Sequence, residues 1–213
     1  MSAHDFAQRQ HQYLVIARLL SYPNQELIDN LDLFDSAIEQ VTGEAGDSLR
    51  HVISTLRTAD LLTVQKEYVA AFDMRRRCCL YLSYYLNGDT RKRGMALWRF
   101  QETYRLNGWQ PAEGELADYL PMLLEFAASG PDEESVALVL LEEHAQGLVV
   151  LQQALEQFAP MHATVIAALL QLLPDLSPDQ RDGAAALIAN GPPVENVGLE
   201  PFGQELLTIG VRR

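Results

Sequence analysis

The chain has 213 residues, with 16 Lys or Arg against 29 Asp or Glu and a formal net charge of −13. Such an acidic, 48% apolar composition excludes a disordered or collagen-like chain and argues against a nucleic-acid binder, whose phosphate contacts require basic surface. The longest apolar runs, Val136–Leu141 and Val165–Leu170, are far short of the roughly 20 residues of a membrane span, so no membrane insertion is expected.

Neither a basic n-region nor an apolar h-region opens the chain, so no signal peptide is read there. Cys78 and Cys79 are adjacent, which suits neither a disulfide framework nor a zinc site, and a reducing cytoplasmic setting is expected. Charge is unevenly spread. Residues 65–108 hold nine basic and four acidic groups, whereas residues 131–213 hold three and twelve.

Helix is predicted almost throughout. A first helix over about 5–20 is stopped by Ser21-Tyr22-Pro23. Asn24 caps a second, with Leu27, Leu31, Phe34, Ile38 and Val41 forming one apolar stripe. After Gly43–Gly46, Asp47 or Ser48 caps a third, carrying Leu49, Val52, Ile53 and Leu56. Asp60 caps a helix with Leu61, Val64, Tyr68 and Phe72, and Leu80–Leu86 continues as apolar helix. Asn87-Gly88-Asp89-Thr90 breaks it, with Gly88 as a C-terminal cap. A helix through Met95, Leu97, Trp98 and Tyr104 follows, then a loop over 109–117. Helix resumes near 119–129, from about 132 to 158, from 161 to 173 and from Ser177 to Asn190. The expectation is a single all-α helical-bundle domain over 1–190, with about nine or ten helices, and an irregular tail over 191–213 strapped across the surface.

No two of the five histidines stand one helical turn apart, and no metal ligand set or catalytic nucleophile with a base partner is visible. No cofactor site, metal site or enzymatic activity is expected. The nearest thing to a phosphate loop is Gly88–Gly94, a helix start with Arg91, Lys92 and Arg93 that could hold an anion. Arg75–Arg77 and Arg91–Arg93 are the two halves of the positive segment, expected as two patches unless a further bend joins them. Within each triplet one arginine or lysine is expected to turn inward to a carboxylate such as Asp73. Asp118 is placed to cap the helix that Pro121 opens, and Glu125 lies inside an apolar run, where a carboxylate needs a partner.

The spaced set Tyr68-x3-Phe72-Asp73-x3-Arg77, Leu80-Tyr81-Leu82, Gly88-Asp89-x-Arg91-x-Arg93-Gly94, Tyr104-x3-Gly108 and Glu115-Leu116-x-Asp118-Tyr119-Leu120-Pro121-x2-Leu124-Glu125-Phe126 resembles the NarJ family. These are assembly chaperones of respiratory nitrate reductase, within the wider TorD/DmsD/NarJ group of redox-enzyme maturation proteins. Ala17-Arg18-Leu19-Leu20-x-Tyr22-Pro23 fits too, and the tail from Gly191 to Phe202 looks like actinobacterial members. Ala117 stands where the family often has proline, and Cys78 and Cys79 where it has small hydroxyl residues.

The resemblance implies a non-catalytic, cytoplasmic chaperone that binds the N-terminal segment of the nitrate reductase catalytic (alpha) subunit and assists molybdenum cofactor insertion. The bound peptide is expected to be helical, apolar and basic, related to a twin-arginine signal, and its complement an apolar groove with carboxylates at the edge. By carry-over, the peptide-binding candidates are Asp118, Tyr119, Leu120, Pro121, Leu124, Glu125 and Phe126, with Phe72, Asp73, Tyr81 and Tyr104. Arg77, Arg91 and Arg93 form the basic patch. Asp118 and Glu125 either answer positive groups on the peptide or pair internally with Arg77 or Arg91. The alternatives are a chaperone for a different molybdoenzyme and a nucleotide-binding protein using Gly88–Gly94. A homodimer by helix exchange would hinge at 109–117 or 130–131.

Overall fold

Helix α1 (Ala3–Leu19) ends ahead of Pro23, its last turn closed by the Ser21 hydroxyl donating to the Ala17 carbonyl at 2.8 Å. The computed structural model describes residues 3–111 and 114–194. Asn24 caps α2 (Gln25–Asp29) by accepting from the Leu27 amide, as its position predicts. The expected single helix over 24–41 divides at Asn30, whose side chain bonds back to the Glu26 carbonyl at 2.7 Å, and α3 (Leu31–Ala37) follows. That change of axis lets Leu27, Leu31, Phe34, Ile38 and Val41 all reach the core.

Helix α4 (Glu44–Thr58) starts earlier than expected, at Gly43 with φ +84°, so Asp47 lies inside it and pairs with Arg50 at 2.7 Å. A Cβ on Gly46 would sit 2.2 Å from the Val41 carbonyl, so only glycine permits this close entry. Asp60 caps α5 (Leu61–Tyr68) through the Thr63 amide. The helix then widens into a π turn, Val69–Asp73, and a 3-10 turn, Arg76–Cys78, before α6 (Leu82–Asn87). Residues 79–81 are extended, not helical as expected, because they pair with 117–119. The Leu82 amide donates to the Asp118 carbonyl at 3.0 Å and the Leu120 amide to the Leu80 carbonyl at 2.8 Å.

Gly88 closes α6 with φ +57°, and α7 (Arg91–Leu106) runs to the turn at Gly108. Five helices complete the bundle: α8 (Leu120–Ala127), α9 (Pro131–Glu143), α10 (Ala145–Phe158), α11 (Pro160–Leu170) and α12 (Pro178–Asn190). The helix expected over 132–158 is split at His144, whose ring bonds the Leu140 carbonyl. Among the described residues there are thus twelve α-helices and no strand. The breaks at Asn30 and His144 account for the finer division.

Helices α10 and α11 form the central hairpin. Helix α1 packs across α8 and α11, α4 against α11, α9 against α8 and α12 against α10. Tyr13, Ile16, Leu123, Phe126, Leu151 and Ile166 meet in the centre, fully buried. After α12 the backbone of Pro193 passes so near Gly88 that a Cβ there would lie 1.7 Å from its carbonyl. Residues 195–213, most of the expected tail, lie outside the described residues, as do 112 and 113 of the expected loop.

Candidate functional site: an acid-edged aromatic groove

Three stretches converge on one surface groove of about 290 Å³. Tyr22 comes from the turn after α1; Tyr68, Phe72 and Asp73 come from α5 and its π turn; Tyr81, Glu115 and Tyr119 come from the paired segments ahead of α6 and α8. A π turn adds one residue to a helical turn, closed here by the Met74 amide on the Val69 carbonyl at 3.1 Å. It sets Phe72 against Tyr68, with ring centroids 4.5 Å apart, and leaves Asp73 exposed at the edge. Tyr22 meets Tyr68 edge-on at 5.5 Å, and Tyr81 meets Tyr119 at 5.5 Å. Contacts of this kind stiffen the wall beyond what apolar burial alone provides.

One wall hydroxyl is anchored from behind and one at the edge. Tyr68 donates to the Leu20 carbonyl at 3.1 Å and Tyr81 to Glu115 Oε2 at 3.1 Å. Burial pushes the Tyr81 phenol up to about 12, with Glu115 adding to the effect. The Tyr119 phenol is also raised, first by burial, then by the surrounding carboxylates Glu115, Glu125 and Asp73, while the Tyr68 hydroxyl beside it acts in the opposite direction. Three carboxylates thus stand around one neutral phenol. Burial on the apolar α8 raises the Glu125 carboxyl, opposed by Arg18.

His162 of α11 supports the wall, 5.0 Å from Phe72 and 5.7 Å from Tyr68. Burial depresses its pKa from 6.5 to about 4. A depressed histidine binds its proton more readily in the unfolded chain, so its contribution is full above the ordinary range and is lost as pH falls through the folded value. We expect stability to drop on the order of 2–3 kcal/mol between neutral pH and the folded pKa. Urea midpoints across that range should fall less for His162→Phe; parallel profiles would refute the assignment.

Of the residues predicted from sequence, Phe72, Asp73, Tyr81, Tyr119 and Glu125 are brought together here. Leu120, Pro121, Leu124, Phe126 and Tyr104 are buried core and present no surface. The Tyr104 hydroxyl is spent on the Ala117 carbonyl at 2.9 Å. Asp118 is corrected too: Tyr119 occupies the cap position of α8, and the Asp118 carboxylate caps α6, accepting from the Ser83 amide at 3.0 Å and its hydroxyl at 2.5 Å. The cation beside Glu125 is Arg18, not Arg77 or Arg91.

The basic residues divide. Arg75 lies over the Phe158 ring at 3.7 Å, while Arg77 faces a separate cleft between α10 and α12. Arg76 and Arg93 both reach Asp89, at 3.0 and 3.4 Å, so the bend after α5 does join the two triplets, through Arg76. Arg76 makes this pair at the surface, its side chain 81% exposed, and so does not turn inward to Asp73 as expected. Arg91 opens α7, exposed. A carboxylate in the middle of the Gly88–Gly94 turn, and Pro193 against Gly88, weigh against a phosphate site there.

Sequence reading missed Tyr22, Tyr68 and Glu115 as groove residues, although each stands within a quoted motif. The four-residue step from Tyr68 to Phe72 was the available signal. His162 arrives from α11 and carried none. Cys79 lines the groove, its thiol pushed up to about 11 by burial, which keeps it a neutral thiol at physiological pH. No group of three His, Cys, Asp or Glu able to hold a metal occurs among the described residues. None of the described helices is long and apolar enough to cross a membrane.

The fold superposes on the crystal structure of an Archaeoglobus fulgidus protein described as a putative redox enzyme maturation protein, with a TM-score of 0.57 and 24% identity, covering 77% of this chain and 92% of the other. The family model for the nitrate reductase delta subunit matches residues 35–167, and the chain belongs to that family. It is 39% identical over 150 residues to the nitrate reductase-like protein NarX of Mycobacterium tuberculosis, spanning 70% of this chain but only 22% of NarX. It is 30% identical over 169 residues to a Bacillus subtilis protein described as the nitrate reductase molybdenum cofactor assembly chaperone NarJ, covering 79% of this chain and 91% of that one. NarJ of Escherichia coli K12 is 30% identical over 164 residues, covering 76% and 69%.

Proposed function

We propose that this protein is a system-specific, non-catalytic cytoplasmic chaperone for a respiratory nitrate reductase. It binds the N-terminal segment of the catalytic subunit and holds the apoenzyme while the molybdenum cofactor is inserted. The cofactor belongs to the client, and no residue here is assigned to hold it. The observation that carries this reading is the groove itself, aromatic at its floor and edged by Asp73, Glu115 and Glu125. An amphipathic helical segment with apolar anchors and basic neighbours is its chemical complement. Apolar burial supplies most of the affinity, while the carboxylates set orientation and on-rate.

Calorimetry with N-terminal peptides from several molybdoenzyme catalytic subunits tests partner class and identity together. The nitrate reductase peptide is expected to bind tightest. Tighter binding of another subunit's peptide would move the assignment to that enzyme. The combined Asp73→Asn, Glu115→Gln and Glu125→Gln variant should bind about tenfold more weakly at low salt, with the gap closing as salt rises. Equal affinity at all salt concentrations would remove the ionic role. Exchange of helices between two copies, about 109–117 or 130–131, belongs to the same proposal and would register as a dimer by light scattering.

A further inference from the structure

Helix α7 buries one side and turns a second apolar strip to solvent. Phe100 and Tyr104 are sealed against the bundle. Met95, Trp98 and Leu106 are 67%, 56% and 69% exposed. At 3.6 residues per turn these three fall within roughly 80° of one another, opposite Phe100 and Tyr104. Among the described residues, no other helix leaves more than one large apolar side chain exposed. Tryptophan is ordinarily well buried, and it is enriched at the energetic centres of protein interfaces. Lys92 and Arg99 flank the strip on one side and Arg105 on the other, with Arg91 at its start. Helix α7 as a whole holds five basic residues and one acidic residue, Glu102. None of these residues lines the acid-edged groove.

We propose that the outward face of α7 is a docking surface for an acidic amphipathic helix of a partner protein.

The order of the residues selects a helix as the occupant. Arg91, Met95, Trp98, Glu102 and Arg105 follow one another at alternating steps of four and three, the spacing that keeps one helix against another along its length. With 16 residues, α7 offers about 24 Å of such a seam. Charge selects the sign of the partner. Apolar residues on its inner face cover Met95 and Trp98, and carboxylates on its flanks meet Lys92, Arg99 and Arg105. A second copy of α7 would set like charges against each other. An anionic bilayer fits less well. Lipid would bury Glu102, which holds Arg105 at 2.6 Å, and would face Glu143 of α9, which holds Arg99 at 2.7 Å. A partner helix can answer the Glu102 position with one polar residue, a device that also sets register between paired helices.

The proposal stands apart from the leader-peptide reading of the groove and fails separately from it. The probes are two synthetic 16-residue helical peptides with the same leucine seam, one flanked by glutamate and the other by lysine. Each is titrated into the full chain by calorimetry, and hydrogen exchange is followed over residues 91–106. The glutamate peptide should bind at least tenfold tighter than the lysine peptide and slow exchange in α7. Met95→Gln/Trp98→Gln should weaken that binding at least tenfold. Lys92→Gln/Arg105→Gln should weaken it about threefold to fivefold at low salt, with the gap closing as salt rises. All four positions are exposed, so unfolding midpoints should match the parent, and exchange in the parent reports docking without any substitution. Equal binding of the two peptides, or none at millimolar concentration, would overturn the proposal. So would co-sedimentation with phosphatidylglycerol vesicles that Met95→Gln/Trp98→Gln abolishes while neither peptide binds, an outcome that assigns the face to lipid. The nitrate reductase N-terminal peptide should bind the parent and both variants alike. Its loss in the α7 variants would merge the two surfaces and overturn a separate one.

Discussion

Asp118→Ala should lower the unfolding free energy by about 2–4 kcal/mol, although Asp118 makes no ion pair in the described structure. The carboxylate is fully buried, and one oxygen takes both the amide and the hydroxyl of Ser83. Its own backbone carries the pairing that holds residues 79–81 against 117–119. Alanine strands the Ser83 amide at the first turn of α6 and leaves a void where the carboxylate stood. Asp118→Asn keeps an acceptor for that amide and should lose no more than about half as much. Denaturant midpoints with an unchanged m value would report this order directly. Because Tyr81 and Tyr119 flank the pairing, peptide binding should weaken in step with stability. A fully stable Asp118→Ala protein that no longer binds peptide would instead place Asp118 in direct contact with the client.

Helix positions were readable from the sequence wherever a local signal decides them. Asn24, Asp60 and Ser177 each cap the helix their position predicts, because the capping bond closes within three residues. What escaped was decided across the chain. Leu80–Tyr81 has the composition of an apolar helix, yet it is extended because the 117–119 segment, far away in sequence, offers a backbone partner. Asp118 has the position of a local cap but meets Ser83 of another helix. The breaks at Asn30 and His144 follow the same logic: each side chain bonds a carbonyl of the preceding turn, and packing then selects a change of axis over a continuous helix.

Half of the candidate site was readable for a related reason. Motif residues cluster in the groove region, but motif membership does not separate a floor residue from the core beneath it. Phe72, Tyr81 and Tyr119 keep an exposed edge, whereas Leu124 and Phe126, in the same signature, are sealed inside. The helical turn decides between them: on α8 Glu125 points outward while both its neighbours in sequence point inward. Charge behaved likewise. The positive segment suggested a working surface, yet two of its arginines are drawn onto Asp89, and the carboxylates around Tyr119 dominate the groove.

The largest single loss of stability is expected from Arg9→Ala, at about 3–5 kcal/mol. Glu134 on α9 has no exposed surface, while the Arg9 side chain of α1 remains 22% exposed. The guanidinium grips both carboxylate oxygens, at 2.5 and 3.0 Å, and the Tyr13 hydroxyl donates to one of them at 3.1 Å. Removing the arginine strands a buried charge with one neutral donor. Glu134→Ala strands a guanidinium that can still turn toward water, so it should cost less, about 2–3 kcal/mol. Replacing both, Arg9→Met with Glu134→Leu, removes the charge along with its partner and should recover most of the loss, because apolar packing substitutes well for a buried pair. A double-mutant cycle by urea denaturation measures the coupling. Additive losses, with no recovery in the double variant, would mean that α1 is held to α9 by packing alone and that the ion pair is incidental to it.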